Sequence, residues 1–333
     1  MAAFDYDLPE EAIAQHPAEP RDSARLLVAT DGDVRHAVVR DLPGLLRPGD
    51  LLVANDTRVL PARLRLRKRT GGAAEVLLVE PCGPDPDVWD ALVRPGRRLP
   101  AGCVLVDHAG QAVVEVGERT GETTRRVRLL RDPSTCGSVP LPPYLHEGLA
   151  DPDRYQTVYA DRPGSVAAPT AGLHLTRELI GACAARRIPF VTLELVVGLD
   201  TFRPVTVDDP AEHRMHSEAY RIPGATWAAC QETRQRGGRV VAVGTTTVRA
   251  LESAAATGCL SGRTEIFIRP PYVFAVADLL LTNFHLPRSS LLLMVEAFTG
   301  PRWRELYASA LRNGYRFLSF GDAMLLGREP AAA

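Results

Sequence analysis

The sequence predicts an α/β protein whose main α/β domain is interrupted by an inserted small all-β barrel. Two observations carry this. Apolar runs bounded by turn residues, such as "GDLLVAND" and "RVVAVG", recur near the start and, between helical periods, in the second half of the chain. Residues 75–131 instead hold five short strand-like runs at regular spacing, with Gly, Pro and Asp turns and little helical period. The predicted division is 1–62 with 152–333 for the discontinuous α/β domain, and 63–151 for the barrel.

Taken in order, "LPEEAIAQ" predicts a short helix with proline at its start. "ARLLVA" and "GDLLVAND" predict buried strands. From Arg63 to Arg69 arginine alternates with Leu64, Leu66 and Lys68, and period two means a strand with one arginine face. The five barrel runs follow. "TRELIGACAARR" predicts a helix with Thr176 as N-cap. "FVTLELVV" is a strand, "ATWAACQETRQRG" a helix ended by glycine, "RVVAVG" a buried strand and "TTTVRALESAAATG" a helix. "TNFHLPRSSLLLMVEAF" places a polar turn before a helix capped by Ser289 or Ser290.

The chain has 333 residues, 45% hydrophobic and 24% charged, enough for about two globular domains. A net charge of −1 excludes a generic polycation, so any nucleic-acid contact must come from a local patch. Six cysteines lie far apart without C-x-x-C, which argues against a zinc ribbon or a disulfide scaffold and fits reduced thiols in the cytoplasm. No leader-like start and no membrane-length apolar run is read. G-x-G-x-x-G after a strand, a P-loop and a G-x-S-x-G elbow are absent.

Six stretches could carry chemistry. "NDTR" (Asn55, Asp56, Thr57, Arg58) follows an apolar strand, and open α/β sheets bind ligands at carboxyl ends of strands; an Asx-turn is the plainer alternative. "AAPTAGLHLT" carries Thr170, Ala171, Gly172 and His174. Its small side chains leave backbone N–H groups open before a helix N-terminus, a setting for anions; a turn with a satisfied histidine is the alternative. In "VGTTTVRALES", Thr245, Thr246 and Thr247 could cap a helix or reach a ligand, and Arg249 could pair with Glu252. Asn283 and His285 precede a helix. His213 and His216 stand three apart with Glu218 beyond, but a metal site needs a third ligand, and no metal is expected. The arginines at 63, 65 and 67 either follow phosphates or form a solvated face.

In family order from residue 4 to 327, "FDYDLPEEAIAQHPAEPRDSARLLV", "NDTRVLPARL", "ALVRPGRRL", "PLPPYL", "RYQTVYA", "GSVAAPTAGLHLT", "MHSEAY", "VGTTTVRALES", "TNFHLPRSSLLLMV" and "YRFLSFGDAMLL" resemble the S-adenosylmethionine:tRNA ribosyltransferase-isomerases of queuosine synthesis. The resemblance implies that S-adenosylmethionine enters as a substrate and that no prosthetic group is bound. It implies that the ribosyl part passes to 7-aminomethyl-7-deazaguanine at the tRNA wobble position, giving epoxyqueuosine, adenine and methionine. His174, Glu218 and Asp56 are then expected in proton transfer. Asn55, Thr57, Arg58, Arg94, Thr170, Ala171, Gly172, His216, Thr245, Thr246, Arg249, Asn283 and His285 are expected to bind substrate, and Arg63, Arg65 and Arg67 to bind tRNA. A cytoplasmic monomer is expected. The chain departs from the family pattern at Val196, where a histidine is usual, at Asp200 and Pro271, where glycine is usual, and at Leu175, where phenylalanine is usual. The alternatives are a paralogue using a free 7-deazapurine or other small amine, and a non-catalytic RNA-binding relative.

Overall fold

Among residues 1–62, strand β1 (Arg25–Ala29) turns into edge strand β2 (Val34–Val38), a short helix α1 (Leu42–Leu45) follows, and β3 (Leu51–Asn55) enters the core. The computed structural model describes residues 1–328 apart from 31, 122, 123, 199–206, 208, 214 and 216. Asp200 and His216, both singled out in the sequence, lie outside the described residues. The helix expected over 8–15 is a single 3₁₀ turn, Glu10–Ala12.

Strand β4 (Thr57–Val59) leads into β5 (Arg63–Lys68), β6 (Ala73–Pro81), β7 (Val88–Arg94), β8 (Cys103–Val106), β9 (Ala112–Arg119), β10 (Thr124–Leu129) and a short β11 (Gly137–Ser138). Six of these close a ring, β5-β6-β7-β10-β9-β8, through pairing of β5 with β8. A closed ring leaves no free edge. Alternation fills it: Leu64, Leu66, Val76, Leu78, Val93, Val116 and Val127 point inward. Residues 139–155 pack elsewhere, in a cluster that joins Leu145 and Tyr155 to Val59 and Phe320 of the main body. The ring sits on a stalk in which β4 pairs in parallel with β12 (Arg162–Ser165).

The returning chain forms α2 (Arg177–Ala185), β13 (Phe190–Leu195), β14 (Glu218–Arg221), α3 (Gly224–Gln235), β15 (Val240–Val243), α4 (Thr245–Thr257), β16 (Ser261–Thr264), β17 (Leu279–Asn283), α5 (Ser290–Thr299), α6 (Trp303–Arg312) and β18 (Ala323–Gly327). The nine-stranded main sheet runs β16-β14-β13-β3-β15-β17-β18-β1-β2, with β13, β3, β15 and β17 mutually parallel. Helices cover both faces, so β15 is apolar throughout and β3 and β17 are apolar up to their polar carboxyl ends, rather than at alternate positions; β13 carries Thr192 and Glu194. Leu51, Val53 and Val240 pack with α4, α5 and α6, whereas Leu52, Ala54 and Val241 pack with α1 and α2. Thr176 caps α2 by accepting from Leu179 N (3.0 Å), and Ser289 caps α5 by accepting from Leu292 N (3.2 Å), as expected from their positions.

Candidate functional site

The parallel strands all end on one side of the sheet, and most of the residues singled out in the sequence meet there. Asn55 ends β3 fully buried. Its Nδ2 donates to the Leu195 carbonyl (2.9 Å), and its Oδ1 accepts from the backbone N–H of Leu195 (3.1 Å) and Thr57 (3.2 Å). One amide thus stitches the ends of β3 and β13. Thr57 Oγ1 donates to Ser165 Oγ (2.7 Å), which accepts from Val197 N (2.8 Å). These side chains fix the rim rather than face an opening.

Beside them lies a cleft open to solvent, about 640 Å³ of space in all, lined by Thr170 and Ala171, Val197, Gly244 to Thr246, Thr282 to Leu286, and Tyr144, Ser289, Leu318 and Ser319 among others. Among the described residues, none of its lining side chains is charged apart from what histidine can carry. Helix α4 begins at the cleft. Its N-cap is Gly244, at φ +90° and without a side-chain cap, so the threonines are not caps as expected: they occupy the first turn. The first-turn N–H groups have no partner within the helix, and their positive end suits an anion or carboxylate. Thr247 turns away and donates to the Val243 carbonyl (2.7 Å). The helix start that faces the cleft is therefore that of α4; α2, which follows "AAPTAGLHLT", is closed by its own threonine.

Asn283 ends β17. Its Oδ1 accepts from Thr170 Oγ1 (3.0 Å), and its Nδ2 lies 3.1 Å from His174 Nε2. His174 does not line the cleft. It closes the 3₁₀ turn Thr170–His174 behind Asn283, and a smaller cavity beside Arg21 and Arg154 lies on its other side. Burial lowers its pKa from 6.5 to about 4, the nearby Arg316 and Arg21 charges add to this, and a hydrogen bond with the Arg21 backbone opposes it. The imidazole is neutral at pH 7, and an amide N–H donated to Nε2 leaves the proton on Nδ1.

His285 is the histidine that faces the cleft. Its Nε2 is 3.0 Å from Thr282 Oγ1, and burial lowers its pKa to about 3. Two tyrosines hold its backbone: Tyr6 Oη donates to its carbonyl (2.5 Å) and its N–H donates to Tyr307 Oη (3.0 Å).

The remaining expected residues lie outside the cleft. Asp56 is buried toward Arg162, whose Nη1 is 3.9 Å from Oδ1 and 3.8 Å from Glu194; burial raises both carboxyl pKa values, with Arg162 pulling each back. Glu218 and Arg249 form a buried ion pair with each other, and Glu218 Oε1 accepts from Gly198 N (3.2 Å), next to the cleft residue Val197. Arg249 therefore does not pair with Glu252. That carboxylate instead accepts from the N–H groups of Ala275 (2.7 Å), Val276 and Ala277 (3.0 Å each). Gly172 is not cleft lining: a Cβ there would fall 2.0 Å from the Tyr159 hydroxyl, so its missing side chain admits that ring. Arg58 is exposed on the stalk. Arg94 is on the outside of the barrel with Arg65 and Arg67, while Arg63 is half-buried with its Nε enclosed. His213 follows a 3₁₀ turn and packs edge-on against Phe267, 5.4 Å between centroids. Leu175, at the usual phenylalanine position, is core.

Among the polar lining residues, Tyr144, Thr282, Ser289 and Ser319 carried no functional weight in the sequence. Tyr144 and Ser319 bond to each other (2.7 Å), and Ser289 stood only as a helix cap. Their signal was membership of the stretches "PLPPYL", "TNFHLPRSSLLLMV" and "YRFLSFGDAMLL".

A parallel-centred sheet, a barrel on a stalk and a polar-edged cleft at the strand ends define an α/β protein with a candidate ligand site where its parallel strands end. The model of one family, described as queuosine biosynthesis protein, matches residues 1–326, and the chain belongs to that family. It is 52% identical to the S-adenosylmethionine:tRNA ribosyltransferase-isomerase of Gloeobacter violaceus, over 97% of this chain and 95% of that one. It is 50% identical to the protein of the same name from Thermus thermophilus, over 98% and 99%. The crystal structure of S-adenosylmethionine tRNA ribosyltransferase from Thermotoga maritima covers 97% of this chain and 99% of that chain, with 37% identity and a TM-score of 0.56.

Proposed function

We propose that this protein transfers and isomerises the ribosyl moiety of S-adenosylmethionine onto 7-aminomethyl-7-deazaguanine at the tRNA wobble position, releasing adenine and methionine and leaving epoxyqueuosine. The observation that carries the reading is the cleft: Thr170, Ala171, Thr245, Thr246, Asn283 and His285 come from separate chain segments and converge on one opening, which among the described residues carries no charged side chain besides histidine. The reaction makes three demands. A carbon acid next to the sulfonium must lose a proton, adenine must leave, and the attacking amine must be neutral. A cationic sulfonium is repelled by an imidazolium but not by imidazole, and burial keeps both His174 and His285 neutral. The uncapped start of α4 suits the methionine carboxylate.

In this reading His285 is the imidazole in reach of substrate. Thr170 and Asn283 present donor and acceptor edges to the nucleoside, and His174 holds Asn283. Asp56, and Glu218 through its pair with Arg249, set the shape of the rim. No helix among the described residues is long and apolar enough to cross a membrane. A cytoplasmic, monomeric enzyme goes with the reading; a sedimentation mass of two chains would refute the monomer.

The test is label transfer. S-adenosylmethionine carrying ¹³C in its ribose is incubated with the protein and precursor tRNA, and the tRNA is digested for mass spectrometry. Label in the wobble nucleoside is expected. Label confined to S-adenosylmethionine and its breakdown products would refute the transfer.

A further inference from the structure

The outer face of the barrel carries a trough, about 1,100 Å³ of open space, walled by Arg65 and Arg67 of β5, Glu75 of β6 and Arg94 at the end of β7, with His108 across it. Strand register explains why these meet. Arg65 stands opposite Glu75, and Glu75 opposite Arg94, so the three form one row across three strands. Arg67 is two residues along from Arg65, hence on the same face and about 7 Å away. The floor is small because Arg67 pairs with Ala73 and Leu66 with Ala74.

The guanidiniums of Arg65, Arg67 and Arg94 make no ion pair or hydrogen bond among the described residues, although Glu75 lies in the same row. Arginines elsewhere on the same barrel are engaged: Arg128 with Asp85 (2.8 Å), and Arg131 with Asp107 (3.4 Å). The trough wall is pinned, since Lys68 Nζ at the end of β5 donates to the Arg98 carbonyl (2.7 Å) beyond β7. Three open guanidiniums against one carboxylate, on a fixed surface of a chain with net charge −1, make a local cationic site.

We infer that this trough holds the phosphate backbone of the RNA substrate, with Arg65, Arg67 and Arg94 each taking a phosphate. The inference rests on the proposed tRNA reading and deepens it. It moves Arg94 from the small-molecule cleft to RNA docking, and it excludes Arg63, whose guanidinium is partly enclosed. The contacts are sequence-independent, as phosphate contacts are, and give affinity and orientation rather than base choice.

The experiment measures binding of a fluorescent tRNA transcript across a salt series for wild type, Arg65→Gln, Arg67→Gln, Arg94→Gln, the triple variant and Arg128→Gln. Removing one arginine–phosphate pair lowers the slope of log affinity against log salt by about 0.7–0.9. The triple variant therefore flattens it by about 2–3 and binds at least about tenfold more weakly near 0.1 M salt. Arg128→Gln leaves both unchanged. Should the triple variant fold poorly, the single exposed substitutions carry the same test, each flattening the slope by the share of one phosphate. Wild-type slope and affinity in the triple variant, or in all three singles, overturn the trough while leaving the tRNA reading intact. A wild-type protein that binds no tRNA overturns both. Equal weakening by Arg128→Gln means diffuse attraction to the barrel and overturns the trough.

Discussion

Asn283 Nδ2 lies 3.1 Å from His174 Nε2, and this contact fixes the direction of both side chains. With Nδ2 committed to the imidazole, Oδ1 is the atom left to accept from Thr170. In the proposed reading His174 therefore acts through Asn283. His174→Gln, which can still accept from the amide, should keep most activity, whereas His174→Ala orphans a buried donor and should cost about 1–3 kcal/mol in kcat/KM or stability. Rate profiles carried from pH 8 down through pH 4 to about pH 3.5 separate the roles. A positioning histidine leaves the shape of the profile unchanged in His174→Gln; loss of a limb would make His174 the proton acceptor.

The two depressed histidines predict acid lability. His174 and His285 have folded-state pKa values of about 4 and about 3, below the ordinary 6.5. The unfolded chain takes up these protons first, so stability is full above pH 6.5 and is lost as pH falls through the window from 6.5 to 4 and below. For His174 alone the loss reaches about 3 kcal/mol. Asp56 and Glu194, with raised pKa values, have the opposite sign and lose their contribution as pH rises. Urea midpoints for wild type and a His174→Gln, His285→Gln pair should converge in acid; parallel curves would contradict the assignment.

Close approach at Gly172 gives a paired test. A methyl group there meets the Tyr159 hydroxyl at 2.0 Å and its Cζ at 3.1 Å. Gly172→Ala should destabilise the protein by about 1–3 kcal/mol and disturb the 170–174 turn. Adding Tyr159→Phe removes the nearest atom and should recover part of the loss. Additive costs in the double variant would show that the clash is not the cause.

The Arg249–Glu218 pair is shielded from water, and burial lowers the Arg249 pKa to about 10, still charged at neutral pH. Removing one member strands a charge. Glu218→Ala or Arg249→Ala should each cost about 3–5 kcal/mol, and the Glu218→Leu, Arg249→Met double variant less than either. Thermal melting reads all three. A double variant as unstable as the sum of the singles would rule out the coupling.

The sheet and barrel were legible because their strands obey local rules: unbroken apolar runs in β3, β15 and β17 under two helical layers, and alternation in the ring at Leu64 and Leu66. Asn55, Thr170, Thr245 and Asn283 were legible as polar residues where apolar strands or their loops end. Direction was not legible. His174 faces away from the cleft because a turn ending at 174 rotates it behind Asn283, and Gly244, not a threonine, starts α4. Arg94 joins Arg65 through the register of β5, β6 and β7, a long-range pairing that no local pattern encodes.

Adenine release from S-adenosylmethionine tests the proposed activity most directly. The purified protein is given precursor tRNA bearing 7-aminomethyl-7-deazaguanine, the free 7-aminomethyl base, or neither. Adenine in step with tRNA modification, with none from the other two arms, is the predicted result. Release with the free base alone, or no release in any arm, would contradict it and turn attention to Val196, which follows β13 and adjoins the cleft residue Val197.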